Sequence, residues 1–372
     1  MKTASFRLLP VRCLPVVGFL LPVFFASCRK KEPPVPPHTR TVLVYLGRDN
    51  NLSDDFEEKI KYLLEGWKGE GNLVFYQDLP DTNPRLMVAE WDESGARAKV
   101  IREYEPENSA DAGVFGRVLN ETQTLYPADS YGMILFSHAS GWLPPSTQLS
   151  PRSIVVDRNS EMELIDFAAA IPDGMFDFII FEACFMAGIE VAYELKDKTK
   201  HILASSAEIL SPGFAAIYRN SAHLLFQPAA ALEDFAREWF LWMDTRSGAF
   251  RSATISLIRT DRLTDLKNHV KLAGEQQPDL SGIQYFDRNS PHLFFDFEDC
   301  YSRRLPAGKR RQELSALVRQ AVTYRAATPT FMSGHNGFGI HRHSGLTTYI
   351  EQPAFPYLNS QYQRLKWKKE QE

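Results

Sequence analysis

The 372-residue chain is 44% hydrophobic, 24% charged and 12% aromatic, which suffices for a large core and excludes a wholly disordered, collagen-like or coiled-coil protein. A formal charge of −4 offers no basic excess for a polyanion, so no nucleic-acid partner is expected. Four cysteines over this length cannot make a disulfide scaffold.

Residues 1–27 read as an export signal. Lys2, Arg7 and Arg12 form a basic start, and the apolar stretch from Leu14 to Ala26 is too short to span a bilayer comfortably. Phe25-Ala26-Ser27-Cys28 puts two small residues before a cysteine and resembles the lipobox of bacterial lipoproteins, with Phe25 where Leu is usual. The resemblance implies an exported chain with Cys28 lipidated, anchored in a membrane and facing the periplasm or the cell surface. An ordinary cleaved signal or an uncleaved anchor is the alternative. Removing residues 1–27 leaves 345 residues, with 39 bases against 46 acids, a charge of −7. Pro33, Pro34, Pro36 and Pro37 then make residues 28–38 an extended tether, because proline fixes φ and cannot donate a backbone hydrogen bond.

From Thr41 onward strand-like and helix-like segments alternate. Strands are predicted at Thr41–Leu46, Asn72–Gln77, Arg85–Trp91, Lys99–Tyr104, Tyr131–Ser137, Phe176–Phe181 and His201–Ser205. Helices are predicted over 53–67, where Phe56, Ile60, Leu63, Leu64 and Trp67 share a face, and over 111–125, 161–171 and 186–196. This alternation predicts a mostly parallel sheet covered on both faces, with functional loops at the carboxyl ends of its strands. Residues 221–372 are expected to be an α+β support packed on a catalytic domain of residues 39–220. In that support, Leu232, Phe235, Ala236, Trp239 and Phe240 mark a helix, Ala253–Ile258 a strand and Gln312–Tyr324 another helix.

Two strand ends carry reactive side chains. The run from Tyr131 to Ser137 delivers His138, and the run from Phe176 to Ala183 delivers Cys184. A thiol becomes a strong nucleophile only as the thiolate, and an imidazole beside it can take that proton and later protonate a leaving amine. Taken singly, a buried cysteine is ordinarily an inert small apolar residue and a histidine a hydrogen-bonded structural one. Together at neighbouring strand ends they read as a nucleophile and its base. Glu182-Ala183-Cys184 follows His138 by 46 residues, close to the caspase pattern of Gln-Ala-Cys about 50 residues after a histidine. Residues i and i+2 of a strand share a face, so Glu182 and Cys184 are expected in one pocket. A carboxylate there would suit a substrate Arg or Lys before the scissile bond.

Four stretches resemble the clostripain-like cysteine peptidases, relatives of caspases, gingipains and legumain. They are Val42–Leu46 leading to Asp49-Asn50-Asn51-Leu52, Ser137–Trp142, Glu182–Leu195, and Leu203–Glu208. The resemblance implies a caspase-like α/β/α sandwich, with Cys184 as nucleophile and His138 as general base and acid. It also implies an oxyanion hole from the backbone N–H groups of Cys184 and Ala139, and no required cofactor. Some members depend on calcium, and no calcium ligands are assigned here. Others cleave themselves between the histidine and the cysteine; the Pro- and Ser-rich segment Leu143–Ser160 contains Arg152 and Arg158, and it reads either as a loop cleaved after Arg152 or as one whose arginines are only solvated. Two departures stand out: Ala139 replaces a frequent Gly, and Glu182 replaces a frequent Asp. They leave open an alternative, a catalytically weak or inactive lipoprotein that binds peptides or a protein partner.

Other motifs are poorer. Asp49, Asn51, Ser53 and Asp55 alternate like a calcium loop, but Asp54 and Ile60 occupy the positions that need Gly and Glu. His335, His341 and His343 cluster without metal-ligand spacing, although strand alternation would put His341 and His343 on one face, so no metal is assigned. Pairing of Cys184 with Cys300 is the competing use of that thiol in an exported protein.

Overall fold

The computed structural model describes residues 39–47, 53–80, 82–93, 95–144, 154–157, 160–273 and 278–369. The signal-like segment, the tether with Cys28, the run Asp49–Leu52 and the loop residues Arg152 and Arg158 lie outside the described residues.

The first strand, β1 (Arg40–Leu46), is buried along its whole length. Its side chains alternate between two cores: Leu43 and Tyr45 enter one, and Val42, Val44 and Leu46 the other. Such two-sided burial is what a central parallel strand requires. Helix α1 (Ser53–Gly66) then crosses to β2 (Asn72–Gln77), which continues antiparallel into β3 (Arg85–Asp92) and β4 (Gly95–Glu103). β4 forms the sheet margin and is blunted by charge, with Lys99 paired to Glu90 and Arg97 to Asp92. Helix α2 (Ala112–Leu125) starts where Asp111 accepts hydrogen bonds from the N–H groups of Gly113 and Val114, satisfying donors that the first helical turn leaves unpaired. β5 (Ser130–Phe136) follows, then the short hairpin β6 (Val155–Asp157) and β7 (Ser160–Met162), α3 (Leu164–Ala170), β8 (Phe176–Glu182), α4 (Ile189–Glu194) and β9 (Thr199–Ala204).

After α5 (Ala215–Ser221) and α6 (Leu232–Asp244) the chain returns to the same sheet with β10 (Thr254–Arg259). It then passes through α7 (Leu263–Val270), β11 (Phe295–Asp296), α8 (Phe297–Arg304) and α9 (Lys309–Ala321) before β12 (Val322–Ala327). The described sheet has nine strands in the order β12-β10-β9-β8-β5-β1-β2-β3-β4. Its central strands β9, β8, β5, β1 and β2 are parallel, and both margins are antiparallel. Residues of α1, α5 and α6 pack on one face and residues of α2, α3, α4, α7, α8 and α9 on the other, giving an α/β/α sandwich.

The structure corrects the expected boundary at residue 220. β10 pairs with β9 along Ser256↔Ala204 to Arg259↔His201, so the later residues complete the sheet rather than form a separate support. The described residues from 39 to 369 form one compact unit. The helix expected over Gln312–Tyr324 also ends early, at Ala321. Val322 and Thr323 are β-branched and fit the pleated margin beside β10 better than a helix interior.

Candidate active site

β5 and β8 are parallel neighbours whose last registered pair is Phe136↔Glu182. His138 and Cys184 each lie two residues further on, so equal extensions of adjacent strands bring them to one place at the carboxyl edge of the sheet. Both line a cavity of about 100 Å3 with Phe136, Ser137 and Glu182. One wall comes from Asp55 and Lys59 of α1, and the facing wall from the loop Ile209–Gly213. Cys184 is half-buried and in no disulfide.

Backbone geometry holds the cysteine turn. Phe185 adopts φ +61, a left-handed conformation that bulky residues rarely accept outside constrained functional turns. Its N–H donates to the Ala207 carbonyl at 3.0 Å, and the Ala187 N–H donates to the Ser205 carbonyl at 2.9 Å. The cysteine loop is therefore tied to the residues that follow β9. Its ring stacks on Phe294 with centroids 4.5 Å apart. Gly141, at φ +64, fits beneath this stack; a Cβ there would lie 2.8 Å from the Phe185 carbonyl oxygen and 3.2 Å from the Phe294 ring. Trp142 packs against Tyr349 and Tyr362 at 5.0 and 5.3 Å. The histidine loop thus rests on residues far later in the chain.

The floor of the cavity differs from expectation. Glu182 does share the pocket with Cys184, but its carboxylate is already engaged. Lys59 Nζ donates to Oε1 at 2.5 Å, the Phe214 N–H donates to Oε1 at 2.7 Å and the Tyr218 hydroxyl donates to Oε2 at 2.6 Å. Lys59 and Glu182 side chains are only 3% and 1% exposed. The ammonium also donates to the Pro212 carbonyl at 3.2 Å and sits 4.1 Å above the centre of the Phe136 ring. Glu182 therefore shares its charge with an internal cation, and Asp55 brings a second carboxylate to the same cavity. Gly213, at φ +62, makes the arrangement fit, since a Cβ there would stand 2.2 Å from Glu182 Oε1. Burial and the neighbouring Glu182 charge together hold the Tyr218 hydroxyl well above its ordinary pKa, so it stays a donor.

Lys59, Gly213 and Tyr218 were not among the sequence-predicted site residues. A signal for Lys59 exists nonetheless: it lies three residues after Phe56 and four before Leu63, on the buried face of α1, where a solvated lysine does not belong. Arg288 was missed as well. It forms a two-pronged pair with Glu208, at 2.7 Å for each contact. Glu208 and, more weakly, the charge of Cys184 hold its guanidinium firmly protonated. Cys300 is buried in α8 as a free thiol whose pKa burial pushes up to about 12, and it is not joined to Cys184. Residues 341–343 lie in no strand, so the expected common face for His341 and His343 does not form. His343 Nε2 instead meets Ser206 Oγ at 3.2 Å. Among the described residues no cluster of three or more His, Cys, Asp or Glu is arranged to hold a metal.

With this geometry in hand, residues 44–281 match the sequence profile of the clostripain family of C11 peptidases. The chain belongs to the clostripain family. Clostripain of Hathewaya histolytica is 25% identical over 214 residues, a match that covers 47% of this chain and 40% of that protein's length. An inactive zymogen C11 protease from Parabacteroides distasonis is 29% identical, with a TM-score of 0.79 over 90% of this chain and 99% of the other. A secreted C11 cysteine protease from Bacteroides thetaiotaomicron, solved with an irreversible peptide inhibitor, shares the fold at 24% identity, with a TM-score of 0.80 over 90% of this chain and 99% of the other. The clostripain-family match ends at residue 281. The likeness in fold reaches across 90% of the chain, a larger share than the family match covers.

Proposed function

We propose that this chain is a cysteine endopeptidase working through a Cys184–His138 dyad. The observation that carries the reading is the equal placement of the two residues past Phe136↔Glu182, lining a single cavity. His138 takes the thiol proton, and the Cys184 thiolate adds to the carbonyl carbon of the scissile peptide bond. The oxyanion that forms is met by the backbone N–H groups of Cys184 and Ala139. Collapse breaks the C–N bond, His138 protonates the leaving amine, and water deprotonated by the same imidazole releases the acid and restores the thiol. Arg288, close enough to feel the cysteine's charge, favours the thiolate.

The finer parts of this reading need their own tests. Cys28 is proposed as the lipidated residue that attaches an exported chain to a membrane; mass spectrometry of the mature amino terminus should find an acylated cysteine, lost in Cys28→Ala. Among the described residues no helix is long and apolar enough to cross a membrane. Self-cleavage after Arg152 should vanish in Arg152→Ala as a missing fragment pair on a denaturing gel. No cofactor is proposed, so a chelator should leave turnover intact; loss that calcium restores would overturn this. Peptide substrates with Arg or Lys before the scissile bond are proposed; Glu182 shares its charge with Lys59, and Asp55 brings a second carboxylate to the same cavity.

The deciding experiment is hydrolysis of fluorogenic peptides by the purified chain, with Cys184→Ala as control. Thiol-dependent turnover is expected to fall at least 1,000-fold in the variant, on the order of the loss when a nucleophile is removed. No difference between the two proteins would leave the inactive peptide-binding lipoprotein as the better account.

A further inference from the structure

The ladder between β5 and β8 stops at Phe136↔Glu182, so each reactive residue lies beyond the hydrogen bonds that hold the sheet. A misplacement of about 1 Å can cost about 100-fold in rate, and the groups that fix the two loops matter accordingly. Tyr349 meets both. On the cysteine side, its backbone N–H donates at 2.8 Å to Oε1 of Glu190, in the first turn of α4. On the histidine side, its ring stands edge-on to Trp142 at 5.0 Å, four residues after His138. Both rings are almost fully buried, and Tyr362 closes the cluster at 5.2 Å from Tyr349 and 5.3 Å from Trp142. The far end of the ring is tied as well. The Tyr349 hydroxyl donates to Asn359 Oδ1 at 2.6 Å, and the Asn359 amide donates to the Gln352 carbonyl at 2.9 Å. Burial raises the pKa of this hydroxyl, so it remains a donor. Leucine would serve a site that needed only apolar filling; a phenol anchored at its tip fixes where the ring stands against Trp142.

We propose that Tyr349 is a positioning residue for the dyad: through Trp142 and Glu190 it holds the histidine loop and α4 in one arrangement, and so sets the approach of His138 to Cys184. This rests on the peptidase reading above and adds to it a residue outside the cavity, since Tyr349 is not among the residues that line it. A ring so placed acts on proton transfer from the thiol rather than on peptide binding.

The test compares the unaltered chain with Tyr349→Leu, Tyr349→Phe, Trp142→Phe and Phe115→Leu. Phe115 is also buried and packs on Tyr45 and Phe167, so Phe115→Leu reports a general loss of core packing. With a fluorogenic peptide carrying Arg before the scissile bond, Tyr349→Leu should lower kcat about 10-fold or more and leave KM within about twofold, because a displaced base slows the chemistry and spares binding. Tyr349→Phe keeps the ring and should recover most of that loss. Phe115→Leu should lower the unfolding midpoint and leave kcat near the unaltered value. A second readout needs no turnover: the pH profile of Cys184 alkylation by iodoacetamide, followed by mass spectrometry of the Cys184 peptide. A displaced imidazolium stabilises the thiolate less, so the midpoint should move to higher pH in Tyr349→Leu. An unchanged kcat in Tyr349→Leu overturns the proposal, as does an equal loss in Phe115→Leu or a rise in KM alone. If Tyr349→Leu fails to fold by circular dichroism, Trp142→Phe, which alters the same contact from the histidine side, decides on the same readouts. If the unaltered chain shows no Cys184-dependent hydrolysis, the peptidase reading fails; an alkylation midpoint that Tyr349→Leu leaves unmoved separately sinks the role of Tyr349.

Discussion

Glu182 and Glu190 stand on either side of Cys184, both almost fully buried, and they are held in opposite ways. Glu182, at the end of β8, meets a cation: Lys59 at 2.5 Å, with a phenol and an N–H completing its shell. Glu190, in the first turn of α4, receives the Tyr349 N–H at 2.8 Å and the Thr348 hydroxyl at 3.1 Å. Its nearest partners are neutral, and burial pushes its pKa up to about 7 against the pull of these donors. Equal burial thus yields a fixed ion pair facing the cavity and a titrating carboxyl that clasps α4 to Thr348 and Tyr349. Partner charge, more than depth, decides which role a buried acid takes.

The comparison can be broken most forcefully at the ion pair. Glu182→Ala leaves Lys59 buried with the Pro212 carbonyl and the Phe136 ring, and loss of one partner of such a pair costs about 3–5 kcal/mol. Urea denaturation at pH 8 should show that loss; a cost below about 1 kcal/mol would mean that water reaches Lys59 and the two glutamates are not so different.

Glu190 should respond to pH instead. Its folded pKa, about 7, lies above the ordinary Glu value of about 4.3. The folded chain therefore keeps a proton that the unfolded chain releases between these limits. Stability is greatest below the unfolded value and is lost as pH rises through 7, by about 4 kcal/mol in all. Asp296, raised by burial to about 6, acts in the same direction, so the contribution of Glu190 is the difference between the unaltered protein and Glu190→Gln. That difference should change between pH 4.5 and 7.5 in favour of the variant. A constant difference across that range would show that Glu190 titrates normally.

The contrast also shows what a sequence can disclose. Strand periodicity located β1, β2, β5, β8 and β9 to within a residue or two at most ends, because each is a continuous apolar run. It placed Cys184 and His138 at strand ends for the same reason. The partners that set the charge of the cavity were hidden: Lys59 is 123 residues from Glu182 and Tyr218 is 36 away, and no local pattern links them. Glu182 alone reads as an acidic pocket; only the crossing of α1 over β8 reveals it as half of a pair. The sheet's later margin was obscured differently, since β10 and β12 follow helices and look like the start of a second unit until their pairing with β9 is seen.

Gly213→Ala gives a smaller and more local test. The new methyl would meet Glu182 Oε1 at 2.2 Å in a left-handed backbone conformation, and strain of this kind costs about 2 kcal/mol. Its signature should be combined: a lower unfolding midpoint and weakened turnover, since the displaced carboxylate disturbs the cavity floor. Gly174→Ala, also at positive φ but with open space around its Cβ, should show the backbone part of the cost without the loss of turnover.

The mildest change tests the Glu190 clasp at a single hydrogen bond. Thr348→Val keeps the branched shape, which suits the short pairing with β11 at Phe295↔Thr348, and removes the hydroxyl that donates to Glu190 Oε1. A hydrogen bond to a charged acceptor contributes about 1.5–3 kcal/mol and one to a neutral acceptor about 1 kcal/mol. Above pH 7, where Glu190 is ionised, the variant loses the larger amount; near pH 5, where the carboxyl holds its proton, it loses the smaller. The anion also has one donor fewer, so the titration midpoint of Glu190 should move upward, against the direction in which Thr348 now pulls it. Unfolding curves at pH 5 and pH 8 read the first effect and side-chain carboxyl NMR the second. Equal losses at both pH values would assign Thr348 to packing and leave the Tyr349 N–H as the group that tempers Glu190.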